Sequence, residues 1–125
     1  MLLAEQAATR STCSRLHVGA VVVRARQVVS TGYNGAPKGM DHCVHTVDAP
    51  CEISVHAEAN ALLHDKTPEY GDIDKVMYVT HAPCYGCAKL ILNADIGGVF
   101  YGAEYGSGSG LVLLEEGGLY VGRVA

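Results

Sequence analysis

Positive charge is scarce in this chain. Nine residues are Lys or Arg against thirteen Asp or Glu, for a formal net charge of −4. Proteins that grip a nucleic-acid backbone show a basic patch or a high pI, so a long polyanionic partner is disfavoured. A small anion is not excluded, because two local cations suffice for one phosphate. Long apolar runs are also missing. No stretch reaches the about 20 residues of a membrane-spanning helix, and the N-terminus lacks the basic start and apolar core of a signal peptide. The expectation is a soluble cytoplasmic protein. Neither an internal repeat nor a linker is visible, so residues 1–125 are expected to form a single domain. A paired set of cysteines is absent as well. Cys13, Cys43, Cys51, Cys84 and Cys87 make an odd count. Without a secretion signal this argues against a disulfide framework and for metal binding or catalysis. What is present is globular in character: 49% of the residues are hydrophobic and 18% charged, a balance far from that of disordered chains.

The pattern of elements is readable. Leu2 to Ser11 is rich in helix formers. His17 to Arg24 and Gln27 to Tyr33 are Val-rich runs that read as adjacent antiparallel strands, although Ala25-Arg26 lacks the usual Asn-Gly or Asp-Gly turn signal. Residues 32–50 are punctuated by Gly and Pro and read as loop. Ser54 to Asp65 predicts a helix capped by Ser54. Lys75 to Thr80 predicts a strand, Cys84 to Ala94 a helix opened by Pro83, and Ile96 to Tyr101 a further strand. Beyond a Gly/Ser loop at 106–110, Leu111 to Glu116 predicts a short helix and Leu119 to Val124 a last strand. Helices alternating with strands in this way imply a three-layer α/β/α sandwich with helices on both faces of the sheet.

Two segments carry chemistry: His56-Ala57-Glu58 and Pro83-Cys84-Tyr85-Gly86-Cys87. A catalytic zinc takes three protein ligands and leaves the fourth position to water. His56, Cys84 and Cys87 are three such ligands, and Glu58 is an acid that coordination does not require. Cys84 and Cys87 are three apart and share a helix face. His56 and Glu58 are about 200° apart around a helix and reach one ion only in its first turn. The site is therefore expected where two helix N-termini converge, a place that also favours thiolates. Glu58 would move protons, a role that calls for a desolvated carboxyl with a raised pKa. Taken singly, C-x-x-C also serves redox and structural zinc sites, and H-x-E alone is weak. The combination matches the known H-x-E…P-C-x-x-C signature of zinc nucleobase deaminases.

On these residues the chain resembles the cytidine deaminase-like superfamily, and within it the deoxycytidylate (dCMP) deaminase family. The likeness extends over Cys13 to Ala20, Ser30 to Pro37, His56 to Ala61, Pro83 to Lys89 and Gly110 to Leu114. The Gly32-Tyr33-Asn34-Gly35-Ala36-Pro37 stretch and Asn60 point to the dCMP branch. The resemblance implies a five-stranded mixed sheet, a homo-oligomer of hexamer size or smaller, and zinc-dependent hydrolysis of dCMP to dUMP with release of ammonia. It implies that Asn34 contacts the sugar and that Ala57 lies against the substrate, where an Asn-Gly pair would otherwise read as a turn. Lys66 to Asp72 contains no arginine where relatives often carry a basic residue, which argues against allosteric control by nucleoside triphosphates.

Some members of the family carry a second, structural zinc. Cys13, Cys43 and Cys51 with His45 or His42 would close a four-ligand site, the alternative being buried thiols that pack as small apolar groups. Arg15 and Lys38, with Arg10, are the basic candidates for a substrate phosphate, each weighed against an ordinary surface charge. Tyr85 sits inside the zinc motif and is expected to line the substrate pocket, and Tyr105, Ser107 and Ser109 sit in a loop that could close over a phosphate. His64, His17 and His81 receive no chemical role. Rival readings are a deaminase of another cytosine nucleotide or nucleoside (dCTP, cytidine), a tRNA adenosine deaminase, or a non-catalytic zinc-stabilised assembly protein.

Overall fold

The computed structural model describes residues 1–13, 16–41, 53–67 and 75–124. Four helices and five strands are built from them: α1 (Leu2–Ala8), β1 (Gly19–Arg24), β2 (Gln27–Tyr33), α2 (Ala57–His64), β3 (Val76–His81), α3 (Tyr85–Asn93), β4 (Gly98–Ala103), α4 (Ser109–Glu116) and β5 (Tyr120–Arg123). The sheet order is β2-β1-β3-β4-β5. β1 runs antiparallel to both β2 and β3, while β3, β4 and β5 are parallel.

The β1–β2 hairpin turns on Ala25 and Arg26, both at positive φ (50° and 66°). Positive φ at both central residues is the condition for the two-residue turn whose twist suits a hairpin, so the turn forms without its usual glycine or asparagine. Side-chain alternation along the strands separates the two faces of the sheet. Ala20 and Val22 of β1, Met77 and Val79 of β3, and Val99 and Tyr101 of β4 point into the main core with Ala57, Ala61, Ala88, Ile91 and Leu114 from the helices. Gly19 lies against the backbone of α1 at Ala4 and Ala8, whereas Gly32 lies against α2 at Ala57 and Ala61. Gly32 is paired with Ala20, the neighbour of Gly19. Successive residues point to opposite faces, so α1 and α2 cover opposite sides of the sheet. α3 connects the parallel strands β3 and β4 and α4 connects β4 and β5, and α3 packs on both α2 and α4. Among the described residues the result is a three-layer sandwich with α1 on one face and α2, α3 and α4 on the other.

Several boundaries differ from the sequence reading, and three of them have a clear local cause. α1 stops at Ala8, because Thr9 donates its hydroxyl back to Gln6 O (2.6 Å) and the chain closes in three-residue turns at Thr9, Arg10 and Ser11; such side-chain bonds compete with helix propagation. α2 begins at Ala57 and not at Ser54. Val55 is held extended by a bridge to Gly35, with N–H to O distances of 2.7 and 3.2 Å, and an extended residue cannot enter the helix. His56, and not Ser54, is consequently the N-cap. Likewise Cys84, at φ −74° and ψ 170°, caps α3 instead of forming its first turn. At the far end of α2, Asp65 receives a hydrogen bond from the Lys75 ammonium at 2.8 Å, with side chains only 7% and 2% exposed. This ion pair ties the C-terminus of α2 to the start of β3.

Candidate metal centre and pocket

β3 ends, β1 begins and β2 ends at one edge of the sheet, because β1 is antiparallel to both. The crevice beyond the carboxyl ends of strands is where open α/β sheets place ligands. Here it holds a cavity of about 170 Å³, lined by Cys13, Leu16, Val18, Asn34, Ser54, His56, Ala57, Glu58, His81, Ala82, Cys84 and Tyr105.

His56, Cys84 and Cys87 meet at this pocket, their ligand atoms all within 4.8 Å of one another. His56 Nδ1 lies 3.3 Å from Cys87 Sγ and 3.5 Å from Cys84 Sγ. Tetrahedral ligands on a zinc at ordinary bond lengths stand about 3.5–3.8 Å apart, so the three residues fit that ion with Nδ1 as the imidazole donor. The geometry follows from the two caps. An N-cap residue is extended, and its side chain folds back over the helix end. Cys84 Sγ accepts the Cys87 N–H at 3.4 Å in this way. Cys87 lies one turn into α3 and is buried, while His56 and Cys84 are exposed.

The electrostatics of the cluster suit a cation. Hydrogen bonds from the Cys87 thiol and from His56, opposed by burial, pull the Cys84 thiol down to about 3. The His56 imidazole is raised, chiefly by its hydrogen bond to Cys84 and against its burial. Cys87 is pushed up by its own hydrogen bond to Cys84 and by burial. These directions favour a thiolate at Cys84, the form in which a cysteine ligates a divalent ion. Glu58 is 4% exposed. Burial is the main cause that raises its carboxyl above the usual range, as a proton carrier needs.

Asn34 is 7% exposed and clamped to the segment before β1. Its Oδ1 accepts the Val18 N–H at 2.8 Å and its Nδ2 donates to Leu16 O at 2.6 Å. One Nδ2 proton remains for a ligand. Ala57, fully buried at the start of α2, and Tyr105 also line the pocket. Other candidates lie elsewhere. Tyr85 is half-exposed at the start of α3, with the Lys89 ammonium 5.7 Å from its ring centroid, and is not on the pocket wall. Lys38 lines a second groove with Pro37 and Met40, because the chain turns away after the Gly35–Val55 bridge. Arg10 stacks over Tyr33 at 5.9 Å. Ser107 and Ser109 bond to each other at 3.1 Å. Cys13 is buried beside the pocket, while Arg15, His42, Cys43, His45 and Cys51 lie outside the described residues.

Besides the apolar Leu16, Val18 and Ala82, two polar residues of the wall, Ser54 and His81, were not assigned to it from sequence. Ser54, read as a cap, instead buries its hydroxyl oxygen in the wall without a partner among the described residues. His81 turns inward at the end of β3. Its place three residues before Cys84, at the end of a predicted strand, was the available signal.

A sheet of order 2-1-3-4-5 with a His/Cys/Cys cluster at paired helix N-termini and a buried acid beside it defines the class of zinc deaminase domains. The chain matches the family described as "Cytidine and deoxycytidylate deaminase zinc-binding region" over residues 1–103, and it belongs to that family. Among its relatives, the "Deoxycytidylate deaminase" of Mycobacterium phage D29 is 41% identical over 117 residues, covering 82% of this chain and 90% of the relative. The "ComE operon protein 2" of Bacillus subtilis (strain 168) is 40% identical over 102 residues, covering 78% of this chain. The chain spans only 54% of that relative's length. In three dimensions the chain is similar to the dCMP deaminase from the cyanophage S-TIM5 in complex with dCMP and dUMP, with TM-score 0.88, 31% identity and coverage of 98% and 92% of the two chains. Among the described residues no helix is long and apolar enough to cross a membrane.

Proposed function

We propose that this protein catalyses the zinc-dependent hydrolytic deamination of dCMP to dUMP, releasing ammonia. The observation that carries the reading is the buried Glu58 carboxyl in the same pocket as the His56–Cys84–Cys87 cluster. A purely structural zinc has no use for that acid.

His56 Nδ1 and the sulfurs of Cys84 and Cys87 would hold the zinc. When bound, zinc supplies the Lewis acidity that activates a water for attack on C4 of the cytosine ring. Glu58 accepts the proton that the water gives up and delivers it to ring nitrogen N3. It then carries the second proton to the departing amine, which leaves as ammonia while the ring carbonyl forms. A raised carboxyl pKa suits both transfers, because the group must give the proton as readily as it takes it. Asn34 contacts the sugar through its remaining Nδ2 proton. Ala57 and Tyr105 flank the nucleotide, and Arg15, next in sequence to the pocket segment, meets its phosphate.

A second, structural zinc on Cys13, Cys43, Cys51 and His45 is part of the same reading, supported by three cysteines that the first cluster does not use. Metal analysis of the purified chain should give two zinc ions, falling to one in Cys43→Ser; a wild-type value of one removes the second site. The compartment proposed is the cytoplasm, whose reducing conditions preserve thiolate ligands. A homo-oligomer is supported by the aromatic row Tyr78, Phe100 and Tyr120, whose last member is 67% exposed, and sedimentation analysis tests it.

The decisive experiment compares ammonia release from dCMP, dCTP, deoxycytidine and adenosine by the zinc-loaded protein. dCMP should have the highest kcat/KM. Equal values for dCMP and deoxycytidine would replace the nucleotide reading by a nucleoside one, and no release from any of them would leave an assembly protein.

A further inference from the structure

His81 has no part in the chemistry above, yet its side chain lines the same pocket as Glu58 and Cys84. Its orientation is fixed from two sides. Tyr105 meets the ring edge-on, with centroids 6.2 Å apart and planes at 81°, an arrangement aromatic rings favour. On the other side His81 Nδ1 lies 2.8 Å from Thr80 Oγ1.

That contact settles the tautomer. Thr80 Oγ1 already accepts the Gly19 N–H at 3.1 Å. A hydroxyl has one proton to give, and Nδ1 is the acceptor beside it. With Thr80 donating to Nδ1, every group in the chain Gly19–Thr80–His81 is satisfied. The reverse assignment would leave the hydroxyl proton of a buried threonine without an acceptor. Nδ1 is thus occupied, and the ring proton sits on Nε2, which has no partner among the described residues. Burial also lowers the His81 pKa, which keeps the ring neutral.

The pocket then contains a ring donor of fixed direction that the chemistry above does not use, beside the Ser54 hydroxyl in the wall. The metal ligands and Glu58 serve the reacting ring, and Asn34 is clamped to Leu16 and Val18. Among the described residues no Lys or Arg lines this cavity. We propose that His81 donates its Nε2–H to the phosphate of the nucleotide, so that Thr80 and His81 together help the pocket select nucleotides over nucleosides. The assignment rests on the dCMP reading for the identity of the substrate.

His81→Phe keeps the edge contact with Tyr105 and removes the donor. A hydrogen bond to a charged group is worth about 10–150-fold in a rate ratio. The expected result is a loss of that order in kcat/KM for dCMP, with deoxycytidine close to its wild-type value. His81→Gln, which restores an N–H, should recover part of the selectivity. Calorimetric binding of the product pair dUMP and deoxyuridine gives a readout independent of turnover: dUMP should weaken in His81→Phe and deoxyuridine should not. Equal losses on nucleotide and nucleoside, or no loss on either, overturn the assignment. Zinc content and circular dichroism identify a variant that has failed to fold, in which case the Gln variant and Thr80→Val, expected to loosen dUMP selectively, decide the matter. A wild-type protein that binds dUMP through His81 but releases no ammonia would defeat the proposed reaction and leave this assignment standing.

Discussion

Gly32 of β2 lies directly beneath Ala61 of α2, so close that a Cβ at residue 32 would overlap Ala61 N and Ala57 O. Two hydrogen bonds reinforce the seat. The Ser30 hydroxyl donates to Ala61 O, and Asn60 Nδ2 donates to Tyr33 O at 2.9 Å. The N-terminus of α2 carries His56 and Glu58, so this contact sets the height of the metal ligand and the acid above the sheet. Gly32→Ala must lift the helix. Overpacking of this kind costs about 1–3 kcal/mol, and the displacement should reduce zinc affinity as well as turnover. Thermal unfolding with metal analysis checks both. A Gly32→Ala protein with full zinc and wild-type kcat would show that the helix position is not critical.

Glu58→Gln preserves shape and zinc while removing the proton carrier. Single general acid–base groups contribute about 10²–10⁴-fold, and Glu58 serves at least two transfers, so a loss toward the upper end is expected. Zinc content and the thermal midpoint should stay close to wild type. Near-normal turnover of zinc-loaded Glu58→Gln would rule out the shuttle.

Chelation should expose an unusually acidic thiol. In the metal-free protein Cys84 is held at about 3, first by the Cys87 thiol and then by His56, against its burial. An ordinary cysteine, at about 8.5, is almost wholly protonated at pH 5. Cys84 should therefore be alkylated at pH 5 in the chelated protein, ahead of Cys87 and the remaining cysteines, and added zinc should protect it. Peptide mapping after iodoacetamide gives the order. Labelling that begins only above pH 8 would contradict the thiolate.

The Asp65–Lys75 pair predicts a definite acid response. Burial pushes the Asp65 carboxyl up, but hydrogen bonds from Lys75 and Thr67 outweigh it and the net shift is downward. A folded pKa below the unfolded one means stability that is complete above the unfolded value, about 3.9, and is lost as pH falls through the folded value. Urea midpoints of the wild type should drop more steeply on acidification through this range than those of Asp65→Asn. Lys75→Met leaves a buried carboxylate alone, a change worth about 3–5 kcal/mol of destabilisation. Parallel acid profiles for wild type and Asp65→Asn would refute the linkage.

The sequence by itself determined the order of elements, the family and the metal-ligating residue types, because these depend on local properties. Strand runs rich in valine, helix formers after Ser54 and Pro83, and the H-x-E and P-C-x-x-C spacings are all readable within a few residues. It did not determine where α2 begins. The Gly35–Val55 bridge joins segments twenty residues apart, and that bridge turns His56 into a cap and hands Ser54 to the pocket wall. Nor did it separate the basic and aromatic candidates. Tyr105 and Lys38 are equally plausible as residues in loops, yet one lines the cavity and the other a different groove, since loop direction is set by what each strand end packs against. His81 was legible only as a position three residues before Cys84, for the same reason. A histidine at a strand end becomes a fixed donor only when Thr80, held from across the sheet by Gly19, and Tyr105 from another loop are brought to its two sides. Those contacts are long-range in sequence, and only the packed sheet creates them.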